Sequence, residues 1–416
     1  MMSTWIQDAD ELSRDSGKRR LSGRIHILGV GNVGTFVAHS LASRPSPPPV
    51  TLLLHNPDLY KTWLHRKKCL SLGSNGLDDV KTGFDINVLG DKTWHSLPYW
   101  NQDGTPNEGT EGAEEGDPDI EGALAHSAED DGPIECLIVA VKAPMTRVAM
   151  ESISHRLTPD STVLFLQNGM GVIDELNKTV FTDPHSRPHY MQGIVSHGLA
   201  RRTPGRFSVV HTGVGTTVLG VVPPPGTVSP ANEAEVDWAP STKYLLRTLT
   251  LTSPLVAVAE PPSALMLYQL EKVAMNSVIN PLTAVMDCEN GELLYNYSFT
   301  RIMRLLLMEI SSVVCALPEL QGIPGIESRF SPERLRWMVT QLANQTAKNH
   351  SSMLQDVRAG KTTEIEYMNG YIVRRGEELG IKCVVNYMMK HLVLAKKEST
   401  KQREAGAIPV DLLNAI

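Results

Sequence analysis

Long apolar runs are missing from this 416-residue chain: none approaches the roughly 20 residues that a membrane-crossing helix needs, so no membrane partner is expected. The start, Met-Met-Ser-Thr-Trp-Ile-Gln-Asp-Ala-Asp-Glu, has no apolar secretory core, and Asp8, Asp10 and Glu11 do not suit an Arg-rich transit peptide. A cytoplasmic protein is expected, with Lys18-Arg19-Arg20 leaving a mitochondrial address open. Cysteine is scarce. Cys69, Cys136, Cys288, Cys315 and Cys383 form no CxxC pair, so reduced thiols and no metal site are expected. Cations are absent from one long stretch: between Asn101 and Pro133 there are eleven acids and no Lys or Arg. Without that stretch the net charge of -7 becomes +4, a mildly basic body suited to an anionic ligand. No basic cluster is dense enough for nucleic acid.

The stretch from about Leu97 to Pro133 is also rich in Gly, Pro, Asp and Glu with little apolar content, and is expected to be a disordered insertion. Residues 1–23 read as a loose arm and 399–416 as a tail. Between them, 24–258 carry strand-like and mixed patterns, and 259–398 are helical almost throughout. The fold class expected is an α/β Rossmann-type N-terminal domain, carrying the insertion at about 100–133, followed by an all-α C-terminal domain.

An apolar run, Ile25 to Leu28, is followed at once by Gly29-Val30-Gly31-Asn32-Val33-Gly34 and then by a helical pattern through Leu41. Strand, GxGxxG and helix in this order form a dinucleotide fingerprint. Gly29 permits the tight turn, Gly31 lets backbone approach a pyrophosphate, and Gly34 lets helix and strand pack closely. Val50 to Leu54 reads as the second strand. The acid that would grip a ribose 2′-hydroxyl is missing after it: the slot is His55-Asn56, and His65-Arg66-Lys67-Lys68 follows. That favours NADP(H), unless the basic run is only a solvated helix face. Further strands are expected at Ile134–Val141 and Thr162–Gln167, ending at Lys142 and Asn168, where an open parallel sheet places its ligands. Between Met191 and Val222, antiparallel strands are expected to extend or edge the sheet.

In the helical half, expected helices cover Tyr244–Leu251, Ser263–Val285, Phe299–Ala316, Ser331–Arg358, Thr362–Leu379 and Val384–Lys397. Lys272, Asn276 and Asn280 recur every four residues, forming one polar stripe on an otherwise apolar helix. A lysine and two carboxamides facing one way suit a small carbonyl-bearing substrate. The alternative is a helix end whose lysine reaches water. Glu364, after Thr363, reads either as an acid at a helix start or as a partner of Lys272.

Several motifs together resemble the ketopantoate reductase (2-dehydropantoate 2-reductase) family. They are the glycine fingerprint, Val141-Lys-Ala143, Gln167-Asn-Gly-Met-Gly171, Lys272 through Ala284, Asn290-Gly-Glu-Leu293, Ser351-Ser-Met-Leu-Gln-Asp356 and Thr363-Glu-Ile-Glu366. The resemblance implies NADPH-dependent reduction of 2-dehydropantoate to (R)-pantoate, a step towards pantothenate and coenzyme A, with a small 2-keto acid as the partner. It implies Lys272 as proton donor to the ketone, with Asn276, Asn280, Asn290 and Ser352 on the substrate. Glu364 would lie near substrate and cofactor, and Asn168 would serve both. Lys142, His55 and Leu199 fall on the cofactor side. Two departures stand out: His55 replaces the family's frequent Arg, and Val384-Val-Asn386 lacks its usual Pro. Two other readings keep the scaffold: a reductase of another small 2-keto acid, or a non-catalytic NADP-binding regulator. Oligomeric state is not set by any of these features.

Overall fold

The computed structural model describes residues 21–99, 120–202, 205–224, 226, 233 and 236–404. They divide into two compact units, 1–167 with 176–265, and 168–175 with 266–416.

The first unit begins with β1 (Ile25–Leu28), α1 (Asn32–Ala42), β2 (Val50–Leu54) and α2 (Pro57–His65). It continues through β3 (Leu70–Ser74), β4 (Leu77–Lys81), β5 (Asp85–Gly90), β6 (Thr93–Leu97), α3 (Ile120–Ala125) and β7 (Ala128–Glu129). Then come β8 (Cys136–Val139), α4 (Ala143–Glu151), β9 (Thr162–Phe165) and α5 (Val172–Thr179), the last beginning in the segment assigned to the second unit. The unit closes with β10 (His189–Val195), β11 (Gly198–Arg201), β12 (Ser208–Gly213), β13 (Thr217–Val222), α6 (Pro240–Thr250) and β14 (Ala257–Ala259). Six strands pair in parallel in the order β5-β2-β1-β8-β9-β10. Counted along the chain, these are the third, second, first, fourth, fifth and sixth parallel strands, the doubly wound arrangement of a dinucleotide-binding sheet. Strands β1, β2, β8 and β9 are buried along their whole length, which is why they read as mostly apolar runs, with His26, Thr51 and Thr162 as their polar members.

The expected edge strands are sorted differently. β10 is parallel to β9, β13 is antiparallel to β10, and β14 is parallel to β13. β11 and β12 leave this sheet and form a second one, in the order β11-β12-β3-β4. The β3–β4 hairpin turns on Asn75 and Gly76, both with positive φ, the Asn-Gly signal of a two-residue hairpin. Its strand Leu77–Lys81 is largely exposed and carries no apolar alternation that would reveal it. On α2, Trp63 (1% exposed) meets Phe207 at 5.1 Å and Phe84 at 6.2 Å between ring centroids, both edge-on.

The acidic insertion differs from expectation at its far end. Residues 100–119 lie outside the described residues, as do 1–20 and 405–416. From Ile120 onward the chain forms α3 and β7, and Asp130 pairs with buried Arg156 at 3.0 Å while accepting from Asn87 at 2.6 Å. Arg156 also donates to the Gly132 carbonyl at 2.8 Å. A guanidinium only 2% exposed needs a carboxylate nearby, and the insertion supplies it.

The second unit is helical. After 168–175 it holds α7 (Pro262–Met286, counted from Met266), α8 (Tyr297–Cys315), α9 (Ile326–Arg329), α10 (Pro332–Gln345), α11 (Ser352–Arg358), α12 (Asn369–Glu378) and α13 (Val384–Glu404). Leu270, Val273, Ala274 and Val278 of α7 share one core with Leu306, Leu307 and Ile310 of α8 and Ile372 of α12. Three expectations change. The span Ser331–Arg358 is two helices, because Ser351 caps α11 by accepting from the Leu354 amide at 3.1 Å. The intervening loop lends the carbonyls of Ala347 and Asn349 to the amides of Gly291 and Asn290. The span Thr362–Leu379 is a short 3-10 turn, Ile365–Tyr367, followed by α12. The last helix runs to Glu404, beyond the expected start of a tail. Replacing Trp63 by Ala removes the ring that joins Phe84 and Phe207; a loss of about 3–5 kcal/mol is expected, read as a lowered midpoint of chemical unfolding.

Candidate active site

On the first unit, the glycine loop lies at the switch point between β1 and β8, where the strand order reverses. Gly29 has φ +99°, and a methyl there would stand 2.6 Å from the Val141 amide nitrogen; at Gly34 it would stand 2.0 Å from the Gly29 carbonyl oxygen. Both glycines are thus required by packing. Gly31 is different, because a methyl there would meet no atom within 4 Å. The space in front of it is open, and it lies at the start of α1. The first turn of α1 holds no acid, and its first intrahelical amide is that of Thr35. The amides ahead of Thr35 therefore face outward, as an anion requires. Among these residues Asn32 donates to the Leu199 carbonyl at 3.2 Å, which brings two of the expected cofactor residues together. Val30 and Val33 pack partly buried against the unit's core, and Lys142 stands exposed at the start of α4. These residues fit a dinucleotide pyrophosphate.

His55 is placed after β2 as expected. Burial, and then the nearby charge of Arg206, hold its pKa below the ordinary histidine value. At neutral pH it is therefore an uncharged hydrogen-bonding group. The cations at this corner are arginines: Arg66 lies within 3.6 Å of where a side chain on Gly205 would begin, and Arg206 follows directly. Arg206 was missed because nothing near it in the sequence links it to His55, about 150 positions earlier.

The second unit gathers most of the other expected residues. Along α7, Lys272 and Asn276 are partly exposed and Asn280 is buried. Desolvation lowers the Lys272 pKa to about 8, against an opposing pull from the Glu364 carboxylate. Glu364, 6% exposed, accepts from the Asn168 amide at 3.3 Å. Asn168 was expected to belong to the sheet domain; it lies instead in the helical unit, with the rest of 168–175. This segment is tied to the Glu364 turn twice more: the Met170 amide donates to the Tyr367 carbonyl at 2.8 Å, and the Tyr367 hydroxyl donates to Glu175 at 2.7 Å. Asn280 donates to the Met368 sulfur at 3.7 Å, so the same turn also touches the polar stripe.

Asn290 is buried, with its Nδ2 donating to Thr346 Oγ1 at 2.9 Å and its Oδ1 left without a partner. Ser352 is exposed in the first turn of α11, whereas its neighbour Ser351 is buried and accepts from Thr283 at 2.7 Å. Lys272, Glu364 and Asn168 thus form one interacting group, with Asn280 attached to it through Met368. Asn290 bonds to Thr346 and Asn349 of the loop that leads to Ser352.

Two family models match the chain: ketopantoate reductase PanE/ApbA over residues 25–224 and its C-terminal domain over residues 264–397. The chain belongs to the ketopantoate reductase family. A 2-dehydropantoate 2-reductase from Salmonella typhimurium is 34% identical over 275 residues, which is 66% of this chain and 78% of that protein. The ketoisovalerate reductase BEA2 of Gibberella fujikuroi is 27% identical over 384 residues, 84% of this chain and 77% of that protein. In fold, the ternary structure of D-mandelate dehydrogenase with NADH and anilino(oxo)acetate superposes with a TM-score of 0.61 at 20% identity, covering 91% of this chain and 99% of that one. This ketopantoate reductase family member is accordingly an oxidoreductase built for a nicotinamide dinucleotide. No helix among its described residues is long and apolar enough to cross a membrane.

Three outcomes are expected. Gly31→Ala should leave the fold intact and weaken dinucleotide binding, whereas Gly34→Ala should lower the unfolding midpoint itself; titration and thermal melts of both variants separate the effects. With Lys272 as the acid, kcat/KM for keto-acid reduction should fall about tenfold per pH unit above about pH 8, where the ammonium is lost. Glu364→Gln removes the charge that raises the lysine pKa, so the same limb should move to lower pH; a limb that stays in place contradicts the assignment.

Proposed function

We propose that this chain reduces 2-dehydropantoate to (R)-pantoate with NADPH, with Lys272 as the proton donor. The observation that carries the reading is the Lys272–Glu364–Asn168 group: an ammonium with its pKa lowered to about 8 and a carboxylate holding it protonated at neutral pH. Bound NADPH would supply the hydride. Lys272 holds the keto oxygen, offsets the negative charge that develops there and releases its proton to it. Asn276 and Asn280, on the same stripe, orient the carboxylate and carbonyl of a compact 2-keto acid. The unpartnered Oδ1 of Asn290 suits a substrate hydroxyl, which needs an acceptor. Arg66 and Arg206, beside an uncharged His55, supply the cations that a 2′-phosphate requires, and this supports NADPH over NADH. Ser352 and Lys142 contribute from the α11 and α4 starts.

One observation keeps a second substrate in view. The relative named as a ketoisovalerate reductase matches more of this chain than the Salmonella protein does, at lower identity. Ketoisovalerate lacks the hydroxyl that would use Asn290, so Asn290 favours ketopantoate.

Oxidation of NADPH by the purified protein should depend on ketopantoate, with ketoisovalerate at least tenfold poorer in kcat/KM. Lys272→Ala should cost about 10³-fold in kcat while NADPH still binds. Tight NADPH binding without turnover of any keto acid would reject the reading, and turnover confined to other keto acids would move it to that substrate.

A further inference from the structure

The helix that carries Lys272, Asn276 and Asn280 contains a proline, Pro281, in its interior. Proline has no N–H, so the carbonyl four residues earlier, that of Ser277, loses its helical donor, and the ring pushes that carbonyl outward. A buried carbonyl left in this way would be costly. In this fold it is not left alone. Nδ2 of Asn369 donates to the Ser277 carbonyl at 2.9 Å, and its second hydrogen goes to Asn386 Oδ1 at 3.0 Å. Asn369 and Asn386 are both 0% exposed. Asn386 is fixed in turn: its Nδ2 donates to Glu309 at 2.8 Å, and the same carboxylate accepts the amides of Val385 and Asn386 at the start of α13, both at 2.9 Å. A chain of hydrogen bonds therefore runs from α8 and α13 through Asn369 to the one point on α7 where the backbone ladder is broken.

Asn369 is also the residue directly after Met368, whose sulfur accepts from Asn280. It is five residues after Glu364, at the start of α12, which follows the same short turn. A single residue thus joins the Ser277 carbonyl of α7, the one that Pro281 leaves without a helical donor, to the turn that bears the carboxylate opposite Lys272. We infer that Asn369 is a positioning residue: by replacing the hydrogen-bond donor that Pro281 lacks, it sets the alignment of the α7 polar stripe against Glu364. The inference rests on the proposed reductase reading for its catalytic consequence, and on the structure alone for its effect on α7.

The test is a double-mutant cycle between Asn369→Leu and Pro281→Ala, since the second substitution restores a backbone N–H to the Ser277 carbonyl. N369L alone should lose about 10²-fold in kcat/KM, mostly in kcat, as expected for a misalignment of about 1 Å. In the P281A background the same substitution should cost at least tenfold less, a coupling that loss of packing does not produce. Hydrogen–deuterium exchange of residues 276–286 should quicken in N369L and slow again in the double variant. Equal losses in both backgrounds, or a lowered melting temperature with unchanged α7 exchange and unchanged kcat, would overturn the inference. Should N369L fail to fold, N369S, whose hydroxyl is too short to reach, takes its place in the same cycle. A wild-type protein that reduces no keto acid would defeat the proposed function, and the exchange measurement would then decide the role of Asn369 by itself.

Discussion

The opposition between desolvation of Lys272 and the carboxylate of Glu364 is the interaction around which the polar residues of the helical unit are arranged. The apolar surroundings of α7 make Lys272 a better acid by pulling its pKa towards neutrality, and would make it useless if they pulled too far. Glu364 sets the limit by favouring the charged form. That carboxylate is itself nearly buried, so it too needs donors, and the Asn168 amide is one of them. The turn that presents it is short and is tied down from both directions, by the 168–175 segment and by Asn369.

The parts of this arrangement that were legible in the sequence are the local ones. A buried strand running into GxGxxG and then a helix is a continuous signal, and so is a 25-residue helix with polar residues every four positions. The parts that were not legible depend on partners far along the chain. The small second sheet pairs β12 with β3, and its hairpin strand, Leu-Asp-Asp-Val-Lys, is largely exposed and shows no apolar alternation beside an Asn-Gly turn that was present to be read. The break between α10 and α11 comes from Ser351 capturing an amide and from Asn290 and Gly291 using the loop carbonyls. Helical periodicity continues through that break and hides it. Arg206 and Asn369 were silent for the same reason: an arginine before a strand and an asparagine opening a helix look like ordinary surface and helix-start residues until the distant His55 and Ser277 are placed beside them.

Composition misled in one instructive way. The acidic insertion reads as a segment too polar to order, yet its final acids carry a structural charge. Asp130 neutralises a guanidinium that the sheet domain has buried, and β7 adds itself to the sheet edge at β6. The count of acids was correct, but position within the insertion determines which of them has a buried partner.

The assignment of residues 168–175 to the helical unit has a consequence for how the chain is made. Asn168 and Glu364 are 196 positions apart, and contacts of such long range form late because the loop between them must close first. At a synthesis rate of about 5–20 residues per second, Asn168 leaves the ribosome roughly 10–40 seconds before Glu364 exists. During that interval the segment's own partners are still missing. A stretch of eight residues must wait for the rest of its own domain to be written.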